Sequence, residues 1–77
     1  MNLLYTEKIL NVLADVYFDY DNLSYTITTH KKSKIPPYIS IIVGDKNEEL
    51  AKYKFKQALF TAKIMYEIEV LRMSKLN

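Results

Sequence analysis

The side chains of this chain that could do chemistry are a few carboxylates, one histidine and a set of lysines. Asp15, Asp19 and Asp21 are close enough in sequence to converge on a divalent cation. The run that begins at Asp19 lacks the glycine and the bidentate glutamate of a calcium loop, since Ser24 and His30 occupy those positions. We therefore interpret the carboxylates as a solvated helix surface and predict neither a metal site nor a cofactor.

Catalysis by a nucleophile and a base has little support in the sequence. His30 is the only histidine, and the chain has no cysteine. A histidine base needs an orienting carboxylate or a nucleophile beside it, and no spacing along the chain supplies one. The serines lack the context of a nucleophile elbow. We expect a protein that is not an enzyme.

The lysines are the stronger functional signal. They occur in two groups, one between the predicted strands and one near the start of the last predicted helix, each with a tyrosine available for stacking. We predict that these residues bind the partner: Lys31, Lys32, Lys34, Tyr38, Lys52, Tyr53 and Lys56. Two partners fit such a surface, a protein or the phosphates of a nucleic acid. The net charge is only +2, so the chain does not have the composition of a strongly basic nucleic-acid-binding protein.

Length and composition limit the architecture. The chain has 77 residues, of which 49% are hydrophobic, which suits one small domain spanning residues 1–77 with a core of its own. A single glycine excludes glycine-rich phosphate loops. No apolar run approaches the roughly 20 residues needed to cross a bilayer, and the first residues do not resemble a secretion signal. We expect a cytoplasmic protein with no membrane partner.

The first segment, from about Leu3 to Tyr20, is predicted to be a helix. Tyr5, Ile9, Val12 and Val16 recur at steps of four, three and four, which is the helical spacing. Asn2 precedes this pattern in the place of an N-cap.

Two strands are predicted next. Leu23, Tyr25 and Ile27 alternate with polar residues, and the run from Tyr38 to Val43 is β-branched and aromatic. The two prolines between them cannot donate hydrogen bonds to a sheet, so we expect an antiparallel hairpin with residues 31–37 as its loop.

The last segment is predicted to be a long helix, from a capping box at Asp45 and Glu48 to about Leu76. It carries two apolar rows. The first contains Phe55, Leu59, Ala62, Tyr66, Val70 and Met73; the second contains Phe60, Ile64, Ile68 and Leu71.

A helix of this length is about 45 Å long, whereas a compact domain of this size is about 30 Å across. The distal half of the helix is as apolar as the proximal half, so it needs cover from the first helix, a second copy or a foreign partner. We favour a homodimer and place the oligomer interface at Phe60, Ile64, Ile68 and Leu71. The predicted fold is α+β, with the order helix, β-hairpin, long helix (α-β-β-α), a small two-layer domain completed by dimerisation.

This predicted order resembles that of a double-stranded RNA-binding domain. In that family a proline-containing loop precedes an alternating strand, as Pro36 and Pro37 precede the run to Gly44, and lysines at the start of the last helix bind phosphates. Lys52 and Lys56 are the nearest match, although Glu48 and Glu49 stand where an adjacent basic pair is expected. The resemblance covers about the middle half of the chain and implies RNA or DNA binding as the alternative function.

The leading hypothesis is a small protein-binding regulator or inhibitor that blocks a macromolecular partner. The chain is rich in Lys, Ile, Tyr and Asn, which is typical of AT-rich genomes, and proteins of this size without catalytic groups are common in phages and other mobile elements.

Overall fold

A four-stranded antiparallel sheet and one long helix make up the fold, which is α+β as predicted. The computed structural model describes residues 1–33, 35 and 39–75. Its elements are β1 (Asn2–Ile9), β2 (Val12–Asp19), β3 (Ser24–Thr29), β4 (Ile42–Asp45) and α1 (Glu48–Lys75). The strands lie in the order β1-β2-β3-β4, and every neighbouring pair is antiparallel.

The predicted N-terminal helix is wrong, because residues 2–19 form the hairpin of β1 and β2. Leu10 and Asn11 connect the strands with φ values of 50° and 67°, the left-handed pair that a tight hairpin turn requires. Apolar steps of four fit a strand as well as a helix, since four is a multiple of two. The single step of three, from Ile9 to Val12, spans the turn, and the two residues are paired across it. Asn2 accordingly begins a strand and caps no helix.

A polar turn joins β2 to β3. The Asp19 carboxylate accepts hydrogen bonds from the backbone N–H groups of Asp21 and Asn22, at 2.9 and 3.3 Å, and from the Asn22 amide at 2.8 Å. These bonds hold the pKa of Asp19 below its usual value, with the bond from the Asn22 side chain as the largest cause. Asp19 and Asp21 therefore shape a turn, and they do not lie on a helix surface as predicted.

The predicted hairpin of the middle strands is confirmed as the antiparallel pair β3–β4. β3 matches the predicted strand closely, whereas β4 begins only at Ile42, and Tyr38 lies outside the described residues. The connection contributes to the core, because Ile35 and Ile41 are 2% and 7% exposed.

The long helix is confirmed, with a corrected cap. The Asn47 side chain accepts the backbone N–H of Leu50 at 3.1 Å, which makes Asn47 the N-cap in place of Asp45. Asp45 instead accepts the N–H of Asn47 at 2.9 Å and forms an ion pair with Lys54 at 2.9 Å. The bond from Lys54 is the main cause that lowers the pKa of Asp45.

The core lies between the helix and one face of the sheet. Cross-strand partners place Val16 and Ile27 side by side on that face, and both are fully buried. The helix covers them with Ala51, Phe55 and Leu59, which are also fully buried. In the described part of the chain, the remaining buried apolar residues are Ile9, Val12, Ala14, Ile35, Ile41 and Ala62.

Candidate protein interface on the C-terminal helix

The helix outruns the sheet that it covers. Its last buried residue is Ala62, and within the described part of the chain every later residue is exposed. At 1.5 Å per residue, the 28 residues of α1 span about 42 Å. The molecule measures 51 × 21 × 18 Å with a radius of gyration of 14.5 Å, above the roughly 11–12 Å expected for a compact chain of this length. We call residues 64–75 the overhang.

The overhang is apolar without being covered. The large apolar side chains of the overhang, and that of Phe60 one turn before it, are between 40% and 65% exposed. They are Phe60, Ile64, Met65, Tyr66, Ile68, Val70, Leu71 and Met73. A large side chain has an accessible area on the order of 150–250 Å², so this set exposes on the order of 800 Å². Soluble monomers rarely expose contiguous apolar patches larger than a few hundred Å², and the exposed side chains of this set surround the helix on both of its sides. The surface is therefore of the kind that binds another molecule.

The two predicted apolar rows have different positions relative to the sheet. The row of Phe55, Leu59 and Ala62 packs on the sheet, as its burial shows. Its continuation, Tyr66, Val70 and Met73, lies beyond the sheet; we call these three residues the inner row. At 100° per residue, Phe60, Ile64, Ile68 and Leu71 fall on the opposite side of the helix, away from the sheet. We call these four the outer row; they are the residues predicted to form an oligomer interface.

The basic residues predicted to bind a partner do not form one group. Lys31 and Lys32 are exposed and follow the end of β3. The helix that carries Lys52 begins after β4, whose last residue, Asp45, pairs with Tyr25 at the start of β3. The two groups therefore begin at opposite ends of this hairpin. Two further predicted residues, Lys34 and Tyr38, lie outside the described residues.

Lys52 forms ion pairs with acidic residues of its own chain. Its ammonium lies 3.0 Å from Glu7 and 3.8 Å from Glu48, and 5.3 Å from the centre of the Tyr5 ring. The hydroxyl of Tyr5 in turn donates a hydrogen bond to Glu48. The neighbouring Tyr5 side chain, followed by the ion pair with Glu7, raises the pKa of Lys52 well above its usual value. Burial, followed by the bond to Glu48, raises the pKa of Tyr5.

Tyr53 and Lys56 differ from Lys52 because both are exposed on the helix. Tyr53 is 57% exposed, and its hydroxyl accepts a hydrogen bond from the Gln57 amide at 3.0 Å. Lys56 borders an open groove with Gln57, Phe60, Thr61 and the turn residue Leu10. These two residues lie beside the outer row and remain accessible to a partner of either predicted kind.

A pair of hydrogen-bonded titratable residues, one buried and one half-buried, escaped the sequence analysis. Asp15 is 8% exposed and accepts hydrogen bonds from Thr6 at 2.6 Å and from Nδ1 of His30 at 2.9 Å. Burial raises the pKa of Asp15, but the bonds from Thr6 and His30 outweigh it and leave the pKa below its usual value. Asp15 is thus a carboxylate that orients the His30 ring, which the spacing along the sequence did not indicate. The pair is not visible in the sequence, because its members are 15 residues apart and meet only when β2 pairs with β3.

His30 borders a small cavity of about 210 Å³, which Thr29, Ser33 and Ser40 also line. Both hydrogen bonds of the His30 side chain in the described part of the chain go to Asp15. The backbone N–H of His30 donates to the carbonyl of Leu13 at 2.9 Å. His30 therefore ties the start of the connection after β3 to the middle of the sheet.

Comparisons of the chain with protein-family models, with curated proteins and with solved structures found no match. Within residues 1–33, 35 and 39–75, no helix is long and apolar enough to cross a membrane. The same residues contain no cluster of three or more histidine, aspartate or glutamate side chains that could hold a metal ion. The resemblance to a double-stranded RNA-binding domain depended on an N-terminal helix ahead of the strands. The structure does not support it, because the chain begins with the two strands β1 and β2.

Proposed function

We propose that this chain is a non-enzymatic interaction protein that binds another protein through the overhang. The observation that carries this proposal is the exposure of large apolar side chains around residues 64–75, beyond the end of the sheet. Leaving such residues in water forfeits about 1.5–3 kcal/mol for each side chain that could be fully buried. A small regulator or inhibitor that occupies a surface of its target is the function that best uses such a helix.

Protein partners are favoured over nucleic acid by the chemistry of this surface. The overhang and the adjoining Lys63 carry three positive and two negative side chains, so this surface has nearly balanced charge: Lys63, Glu67, Glu69, Arg72 and Lys75. Phosphate binding needs an excess of unpaired positive charge, whereas a helix with apolar residues at steps of three and four fits a groove or another helix.

Capture of binding proteins by an immobilised chain tests the proposal when variants are compared. Replacing Ile68 and Val70 by Asp should remove the captured protein, because the change puts a charge on each apolar row of the overhang, at residues that are 53% and 45% exposed. Leu23→Asp with Ile42→Asp is the matched control, since these residues are 65% and 70% exposed and lie outside the helix. Equal capture by both double variants would exclude the overhang as the binding surface.

RNA or DNA binding is the second candidate, and the exposed Lys31, Lys32 and Lys56 favour it. Its test is a salt titration of the captured complex with and without nuclease. Binding to phosphates should weaken steeply as the salt concentration rises, whereas an apolar protein interface should hardly respond. Loss of the complex on nuclease treatment would favour this candidate over the first.

A further inference from the structure

The outer row has a spacing that can pair with its own copy. Phe60, Ile64, Ile68 and Leu71 follow one another at steps of four, four and three, and all are between 40% and 64% exposed. We infer that the partner of this row is a second copy of the chain, whose helix runs antiparallel to the first. This inference rests on the proposed function, since it assigns an occupant to part of the overhang surface.

Antiparallel pairing brings apolar residues level with one another along the whole row. When the two helices cross midway between Ile64 and Ile68, Ile64 faces Ile68 of the second copy. In the same arrangement Phe60 faces Leu71 of the second copy, and both contacts occur twice because the pair is symmetric. Gln57 and Lys75 bound the row at its two ends, which limits the apolar contact to these four residues.

The charges beside the row are complementary in this arrangement. Lys63 and Glu67 lie four residues apart on one flank of the outer row, and neither forms an ion pair within the described part of the chain. In the antiparallel pair this flank meets the same flank of the second copy. Lys63 of each copy then lies beside Glu67 of the other, which forms a cluster with two positive and two negative charges.

A parallel pair lacks this complementarity. It would place each residue of the row level with its own copy, so that Lys75 would meet Lys75 at the end of the contact. The flank that carries Lys63 and Glu67 would meet the opposite flank of the second copy, and these two charges would not meet each other across the interface. Antiparallel helices also place opposite ends of their dipoles side by side.

The available area agrees with a dimer. The four side chains of the outer row expose on the order of 400 Å² in each copy, or about 800 Å² of apolar surface for the pair. Together with the flanking residues, this approaches the lower part of the roughly 1,200–2,000 Å² that stable interfaces bury. The sheet of each copy packs on the opposite side of its helix, where Ala51, Phe55 and Leu59 are buried, and the turn residue Leu10 borders the groove beside Phe60 at the edge of this contact. The inner row stays free for a foreign protein.

Charge reversal on the flank tests both the occupant and the direction of pairing. Lys63→Glu makes the cluster wholly negative, and Glu67→Lys makes it wholly positive. Sedimentation equilibrium should show that each variant dimerises about tenfold or more weakly than the wild type. An equimolar mixture of the two variants should dimerise again, because one copy then supplies only negative and the other only positive flank charges. Lys32→Glu and Asp21→Lys are the matched controls, since both residues are exposed and lie outside the helix.

Three results would overturn the inference. A wild-type chain that is folded and monomeric near 1 mM, a concentration at which even a dissociation constant of about 1 mM populates a dimer, would exclude the second copy. Single variants that dimerise as well as the wild type, or a mixture that stays monomeric, would exclude the antiparallel pairing. The proposed function is decided separately, because capture that depends on Ile64 and Ile68 but not on Lys63 and Glu67 would place a foreign protein on the outer row.

Discussion

Ending the chain at Lys63 should leave the rest of the fold intact. This truncation removes the whole overhang, and no described residue that it removes is buried. The sheet and the buried helix residues Ala51, Phe55, Leu59 and Ala62 all remain. The change therefore separates the stability of the fold from the surface that we propose for binding.

The expected loss in the free energy of unfolding follows from the contacts between side chains within the overhang itself. Neighbouring apolar side chains on a helix surface stabilise it by about 0.2–0.5 kcal/mol for each pair three or four residues apart. Five such pairs occur within the overhang, two in the outer row, two in the inner row and one between Met65 and Ile68, which gives about 1–2.5 kcal/mol. The entropy lost when these residues are ordered offsets part of that gain. The free energy of unfolding of the monomer should thus fall by less than about 2.5 kcal/mol.

Urea denaturation followed by circular dichroism measures this difference. The comparison is Leu59→Ala in the full-length chain, which should cost about 2–5 kcal/mol because Leu59 is fully buried. If the full-length chain dimerises through the overhang, its melting temperature should rise with protein concentration and that of the truncated chain should not. A truncated chain that is unfolded would refute the reasoning, because the overhang would then be part of the core.

Three further perturbations follow from the structure. Phe55→Ala should cost about 3–5 kcal/mol and unfold much of the population in a melting experiment, since Phe55 is fully buried between helix and sheet; a change below about 1 kcal/mol would contradict the packing. Asp15→Asn should cost about 1–3 kcal/mol at pH 7, because it weakens the bonds that the buried Asp15 side chain accepts from Thr6 and His30. The pKa of Asp15 is lowered in the folded state, so the stability that it provides is present above about pH 4 and is lost as the pH falls through the folded pKa. Urea titrations at several pH values should therefore show a shallower acid dependence in Asp15→Asn than in the wild type, and identical slopes would argue against the pair. Replacing Lys31 and Lys32 by Ser should leave the melting temperature unchanged, since exposed lysines contribute little to stability; a clear decrease would show that these side chains have partners in the fold.

Local signals explain which elements could be predicted. The long helix was predicted nearly to its bounds because its apolar rows continue for many turns without proline or glycine. The hairpin of β3 and β4 was predicted because strict alternation and two prolines limit the alternatives. The first hairpin was missed because Leu10 and Asn11 are not the usual glycine-containing turn, and steps of four residues fit both periods.

Sequence reasoning reached two parts of the candidate interface, the shortage of cover for the distal half of the helix and the four residues of the outer row. Comparing the length of the helix with the size of the domain was enough to predict that its distal half needs cover from elsewhere. Which row faces the sheet, and where burial stops, depended on how the helix crosses the strands. The contact of Lys52 with Glu7 likewise depends on the fold, because the two residues belong to elements at opposite ends of the chain.

The sequence by itself therefore determined the long helix, its two apolar rows and the shortage of cover for its distal half, since these follow from spacing and length along one segment. Only the tertiary structure decided that the first segment is a hairpin, that Asp15 meets His30 and that Lys52 is occupied by acidic partners. These features depend on pairing between residues far apart in the chain, and pairing is set by strand register and turn geometry, which composition and periodicity do not specify. The same distinction applies to the outer row, whose residues are visible in the sequence but whose orientation away from the sheet is a property of the fold.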